Sequence, residues 1–232
     1  ISNFEKALDL AFHSGDSLMI ITTRNNLAWT RRVIGDLDSA DTLCLLSIAE
    51  SRREGHERPL AYAYLTKADI ERDRGDLKNA KIYASEALEL FRRLEDDEGK
   101  AQVYRTLANI SRHSQNFEQA LSYLGKGIDL VEDSTSYPLI ASLYQLYGRT
   151  YRHYASYVLS KENIEARGAE ANSLFKKAQS ALQKSIVLAH DIGNRWEVAR
   201  SQIENVLIMM LNEDAYDEAK INELLEQAYQ TA

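Results

Sequence analysis

The sequence predicts an all-α fold, specifically a right-handed solenoid built from helix–turn–helix repeats. Three observations predict it: a motif that recurs every 40 residues, amphipathic patterns around each copy, and a shortage of helix-breaking residues. The 232 residues include only two prolines and ten glycines. Such a composition favours long helices over a turn-rich β fold.

The recurring motif marks a tight turn between two helices. Residues 35–40 (Gly-Asp-Leu-Asp-Ser-Ala) and 75–80 (Gly-Asp-Leu-Lys-Asn-Ala) are nearly the same, and 115–120 (Gln-Asn-Phe-Glu-Gln-Ala) follows at the same spacing. In this motif Gly ends one helix and Asp caps the next. Small residues recur at the same spacing in the preceding helix, at Ala28, Ala68, Ala108 and Gly148. We expect them to let the two helices of a pair pack closely.

The 40-residue register divides residues 1–232 into one half repeat and five repeats within a single solenoid. The half repeat covers 3–13, and the repeats cover about 16–54, 57–96, 99–134, 138–190 and 195–230. In the fourth repeat the small residue of the second helix is Ala178, whereas the register places it at Ser160. About 18 residues are therefore inserted, near 156–172.

These residues resemble the tetratricopeptide repeat family, with Leu27-Ala28, then Gly35-Asp36-Leu37, then Ala40. The usual period of that family is about 34 residues; the extra residues here follow the second helix, as at 92–97. Repeats of this longer period are similar to the sensor solenoids of bacterial STAND-type signalling ATPases and maltose-regulator-like transcription factors. The resemblance implies a cytoplasmic, regulatory part of a larger bacterial signalling protein, with further domains in the parent chain. It also implies that the first helix of each repeat (helix A) lines a concave surface and the second (helix B) the outer one.

The residue pattern does not predict an enzyme, a cofactor site or a metal site. The five histidines are scattered, and the Gly-Asp turns lack the Lys-Ser/Thr of a phosphate loop. The acidic pair Asp96-Asp97 lies in a turn, where we expect it to be solvated. A single cysteine, Cys44, excludes an intrachain disulfide, fits a reducing compartment and is expected to be buried. No run of 18 apolar residues indicates a membrane span.

Charge is shared unevenly between the predicted helices, although the net charge is −7. Helix A of repeats one, three and four (16–33, 101–114 and 139–160) carries a surplus of two positive charges each, whereas the helix B of repeat one (36–50) carries four acids and no base. If the A helices line the concave surface, that surface is cationic and attracts an acidic partner.

Helical register selects ten polar side chains for this surface. Arginine suits carboxylates or phosphates, while Asn and Gln can bond an extended peptide backbone. The alternative for the arginines is that they are solvated and only keep the helices soluble. The ten candidates are Asn25, Arg32, Arg72, Arg105, Asn109, Arg112, Gln145, Arg149, Arg152 and His153.

A tyrosine stripe at helical spacing raises a second question. The stripe is interpreted either as an aromatic platform that binds a partner or as a row of side chains that pack against neighbouring helices. Its members are Tyr144, Tyr147, Tyr151, Tyr154 and Tyr157.

The predicted function is a protein-interaction or ligand-sensing scaffold that binds an anionic peptide or protein segment in the concave groove. One alternative is a peptide-pheromone receptor module. A nucleic-acid-binding solenoid is less favoured, because the chain is acidic overall. A clamp for the carboxylate of a chaperone tail is disfavoured: Arg105 and Asn109 could begin one, but Leu146 stands where the next Asn is needed.

Overall fold

The computed structural model describes residues 2–161, 165–212 and 216–231. These residues form eleven α-helices and no strand. The helices are α1 (Ser2–Ser14), α2 (Ser17–Val33), α3 (Leu37–Glu54), α4 (Glu57–Asp73), α5 (Leu77–Arg93), α6 (Asp97–His113), α7 (Phe117–Val131), α8 (Tyr137–Ser160), α9 (Glu165–Asp191), α10 (Arg195–Leu211) and α11 (Glu218–Thr231). No helix in the described ranges is both long and apolar enough to cross a membrane.

The chain divides into two compact units, Ile1–Ile110 and Ser111–Ala232. The first unit holds α1, the pairs α2/α3 and α4/α5, and most of α6; the second holds the end of α6 and α7 to α11. Of the turn predicted in the last repeat, Asp214 and Ala215 lie outside the described residues. That the whole chain is one solenoid of five and a half repeats stays a prediction.

The turns of the first unit have the geometry that the recurring motif predicts. Gly35 and Gly75 have φ angles of 87° and 86°, in the left-handed region that favours glycine. Asp36 then accepts a hydrogen bond from the Ser39 amide at 3.2 Å, and Asp76 accepts one from the Asn79 amide at 3.0 Å. Each turn therefore ends one helix and caps the next within three residues.

Small side chains hold the helix pairs of the first unit close together. Ala28, Ala40, Ala68 and Ala80 have no exposed surface. Cys44 is also fully buried, and burial raises the pKa of its thiol to about 12. Such a thiol is inert, as expected for a small packing residue.

The inserted residues of the second unit lengthen a helix pair. α8 has 24 residues and α9 has 27, against 15 to 18 for the helices of α2 to α7. Residues 162–164, within the predicted insertion, lie outside the described residues. The two long helices share a core with α10 that includes Val158, Phe175, Leu182 and Ile208. The insertion therefore extends the apolar contact between α8 and α9.

The tyrosine stripe is largely packing surface. Tyr154 and Tyr157 lie against Phe117, with ring centroids 5.3 and 5.4 Å apart, and Tyr147 lies 5.2 Å from Tyr151. Burial raises the pKa of Tyr151 to about 12. The packing interpretation is therefore the one that these contacts favour.

The prediction that Asp96 is solvated was wrong. Its side chain is 8% exposed, accepts a hydrogen bond from the Gly99 amide at 2.8 Å and forms an ion pair with Arg58 of α4. The residue caps α6, and its pairing with α4 removes it from water. Asp97, the other member of the pair, is exposed as predicted.

Candidate functional site

Two predicted arginines of the first unit share a carboxylate. Asp73 accepts from Arg32 of α2 at 2.6 Å and from Arg72 of α4 at 2.7 Å, and Asp69 pairs with Arg72 at 2.5 Å. Burial alone would raise the pKa of Asp73, but the two arginines outweigh it and lower that pKa. Two positive and two negative charges therefore balance at this position.

Other arginines of α2 are also paired with acids from elsewhere in the first unit. Arg24 forms an ion pair with Glu50 of α3, and Arg31 pairs with Glu5 of α1 at 2.9 Å. The surplus of positive charge counted along α2 is thus offset by acids on neighbouring helices. Each of these arginines is therefore ion-paired, and binding of an acidic partner by this helix stays a prediction.

The predicted pair on α6 is half-buried. Arg105 and Asn109 lie one turn apart, and the Asn109 side-chain amide donates to the Arg105 carbonyl oxygen at 3.4 Å. Both side chains make further contacts.

A cleft of about 1130 Å³ lies in the first unit. α2 contributes Leu18, Met19 and Asn25 to its lining, and α4 contributes Pro59 and Tyr62. Leu18 and Met19 are 46% and 40% exposed. The side-chain amide oxygen of Asn25, Oδ1, is buried and has no hydrogen-bond partner among the described residues. We name this site the α2–α4 cleft.

In the second unit, two predicted arginines of α8 converge on one carboxylate of α10. Arg152 Nε lies 2.7 Å from Glu204 Oε2, and Arg149 Nε lies 3.3 Å from Glu204 Oε1. The side chains of Arg152, Arg149 and Glu204 are 12%, 37% and 9% exposed. The side chain of Arg149 therefore has the largest exposed fraction of the three.

The pKa of His153 depends on the positive charges of these arginines. Its pKa is lowered to about 3 by burial and then by the positive charges of Arg152, Arg112 and Arg149, with a contribution from His113. A guanidinium nitrogen of Arg152 lies 3.2 Å from His153 Nε2. Since arginine can only donate, Nε2 is the acceptor and the imidazole is neutral. We call Arg112, Arg149, Arg152 and His153 the arginine cluster.

Residues 59–133 match the family model described as tetratricopeptide repeat. This part of the chain belongs to the tetratricopeptide repeat family. The match runs from the first turn of α4 to the end of α7, and it confirms the resemblance to the tetratricopeptide repeat family. A search of curated proteins returned no match.

A solved structure supports an α-solenoid fold for this chain. The chain is similar to BtubC (BKLC) from P. vanneervenii, with a TM-score of 0.66 and 17% sequence identity. The alignment covers 98% of this chain and 86% of that one. At this identity the likeness shows the fold alone, and the predicted all-α solenoid class is confirmed. Tetratricopeptide repeats in general mediate protein–protein interactions.

The structure brings some of the ten predicted residues together and separates others. It gathers the four members of the arginine cluster, and it joins Arg32 to Arg72 through Asp73. Gln145 is only 3% exposed, so its amide lies in the interior of the second unit rather than on an accessible surface. Asn25 lies in the α2–α4 cleft.

Sequence reasoning missed Glu204, the carboxylate that holds the arginine cluster. A signal for it exists in α10, where Ser201, Glu204 and Ile208 share one helix face and are all buried. A charged residue on an otherwise small and apolar face indicates a buried ion pair. The identity of its partners could not be read from the sequence, since Arg152 lies 52 residues away.

Proposed function

We propose that this chain is a protein-interaction scaffold that binds an anionic peptide or protein segment at the arginine cluster of the second unit. The observation that carries the proposal is the neutral, half-buried His153, whose pKa is lowered to about 3 by burial and by three arginines. Burial makes the largest contribution to this depression, and the positive charges of Arg152, Arg112 and Arg149 add to it. A positive potential in a partly dehydrated site attracts carboxylates and repels cations.

The geometry of the cluster supports a carboxylate as the recognised group. Arg152 Nε–H donates to Glu204 Oε2 at 2.7 Å, and Arg149 lies within ion-pair distance of Glu204 Oε1, at 3.3 Å. A guanidinium has five N–H donors in a rigid fork that suits a carboxylate. Because Arg149 is 37% exposed, a partner's Asp or Glu side chain can approach it from solvent. Arg112 strengthens the same positive field.

The α2–α4 cleft of the first unit is a separate candidate site, and its dimensions suit a peptide or protein segment rather than a small anion. Its volume of about 1130 Å³ is larger than the range typical of small-molecule sites. The exposed Leu18 and Met19 offer apolar contact to the side chains of such a segment.

The longer-period repeat suggests the setting of this scaffold. We infer from that resemblance a regulatory role within a larger signalling protein, in which other domains of the parent chain respond to the bound segment. The peptide-pheromone receptor remains a narrower form of the same proposal.

Three labelled probes of equal length test the proposal by fluorescence anisotropy: a Glu-rich peptide, a Lys-rich peptide and a single-stranded oligonucleotide. We expect binding of the Glu-rich peptide, weakened by added salt, and no binding of the Lys-rich peptide. Equal binding of both peptides would contradict a cationic site. Tight binding of the oligonucleotide in preference to the acidic peptide would favour the nucleic-acid alternative.

A further inference from the structure

Glu204 already lies against both arginines of α8. Its two oxygens each face one guanidinium, Oε2 toward Arg152 at 2.7 Å and Oε1 toward Arg149 at 3.3 Å. The side chain comes from α10 and is 9% exposed, so its charge lies in a partly dehydrated environment. Electrostatic interactions in such an environment are stronger than in bulk water.

Two roles for this carboxylate lead to opposite expectations. In the first role, Glu204 only relieves repulsion between the arginines, and its removal loosens the cluster and weakens binding. In the second role, the negative charge of Glu204 repels an external carboxylate and offsets the positive potential that this carboxylate meets. The exposure of Arg149 favours the second role, because a ligand can reach this guanidinium while Glu204 still holds it.

We propose that Glu204 is an internal competitor that sets the affinity and the charge requirement of the site. This inference rests on the proposed function, namely that the arginine cluster binds an anionic segment. A ligand with one carboxylate is repelled by Glu204 and gains only one attraction to the arginines in return. A ligand with several adjacent acidic side chains engages more of the positive field. The recognised class is therefore a segment with clustered Asp or Glu residues.

Glu197 provides a matched control on the same helix. Its side chain is 6% exposed, against 9% for that of Glu204, and it pairs with Arg200 at 3.2 Å instead of with the arginine cluster. Glu197→Gln and Glu204→Gln thus make the same chemical change, with the same loss of one negative charge from α10. Only the second change touches the cluster.

The test measures binding of two labelled peptides, one with a single Glu and one with four consecutive Glu residues in the same neutral background. We expect the wild-type protein to bind the second peptide well and the first weakly. Glu204→Gln should tighten both, by about tenfold for the single-Glu peptide, because a carboxylate in close contact has been removed. Glu197→Gln should bind both peptides as the wild type does.

Unchanged or weaker binding by a folded Glu204→Gln protein would overturn the inference while leaving the proposed function intact. Failure of the wild type and of Glu204→Gln to bind either peptide at low salt would overturn the proposed function itself. A second measurement does not depend on the variant: the Nε–H signal of Arg152 in the NMR spectrum of the wild type should shift as the four-Glu peptide is added. A signal that stays in place at saturation would also overturn the inference.

Discussion

Gly148 of α8 lies so close to Leu182 of α9 that no side chain fits between the two helices. A Cβ atom at position 148 would stand 2.6 Å from Leu182 Cγ and 2.9 Å from the Ala178 carbonyl oxygen. Carbon atoms in contact are normally separated by about 3.5–4.0 Å. The backbones of α8 and α9 therefore approach each other at a position where only glycine is accommodated.

Gly148→Ala should destabilise the protein, since the new methyl group collides with a side chain and with a backbone oxygen. The expected loss is about 1–3 kcal/mol in the free energy of unfolding, measured by urea denaturation followed by circular dichroism. Gly125 is the matched control: it lies within α7, and a Cβ there would meet nothing within 4 Å. Gly125→Ala should stabilise the protein by about 1 kcal/mol through helix propensity. Equal effects of the two substitutions would contradict the close packing of α8 and α9.

Gln115 has a left-handed backbone conformation, which glycine adopts at the equivalent position of the two preceding turns. Its φ is 57°, whereas Gly35 and Gly75 have φ of 87° and 86°. A side chain in this region costs about 1 kcal/mol, so Gln115→Gly should raise the free energy of unfolding by about 0.5–1 kcal/mol. Gly75→Ala should have the opposite sign. A destabilising Gln115→Gly would show that the glutamine side chain contributes more than the backbone strain costs.

The lowered pKa of His153 predicts a defined pH dependence of stability. In the unfolded chain a histidine takes up a proton near pH 6.5, whereas in the folded protein His153 remains neutral down to about pH 3. Between these values the unfolded state binds the extra proton, so stability falls as pH falls. His153→Gln keeps an acceptor for Arg152 but cannot be protonated. Urea denaturation between pH 7 and pH 4 should show a shallower loss of stability for this variant, and identical slopes would contradict the positive environment of His153.

The parts of the fold that depend on local sequence could be predicted. Gly35-Asp36 and Gly75-Asp76 specify their own turns, because left-handed glycine and an Asp cap act within a few residues. Gly148 was identified as a close-packing position from its spacing alone, and the contact with Leu182 bears this out.

The pairing of charges across helices could not be predicted in the same way. Arg32 meets Asp73 after 41 residues, and Asp96 is removed from water by Arg58, 38 residues before it. Such pairs depend on the rotation and stagger of packed helices, which hydrophobic periodicity fixes only coarsely. Counting charges within each helix therefore overestimated the positive charge of α2. For α8, the described ion pairs join Arg149 and Arg152 to the carboxylate of Glu204, and the cationic character of that helix stays a prediction.

The most direct test of the account is the affinity of a four-Glu peptide for a protein that carries both Arg149→Gln and Arg152→Gln. The control carries Arg53→Gln and Arg92→Gln, two exposed arginines of α3 and α5, and so has the same net charge. With folding of both proteins checked by circular dichroism, fluorescence anisotropy at low salt should show binding to the control as to the wild type. Binding to the cluster variant should be reduced by at least about tenfold. Equal loss of affinity in both proteins would show that net charge, rather than the arginine cluster, holds the peptide.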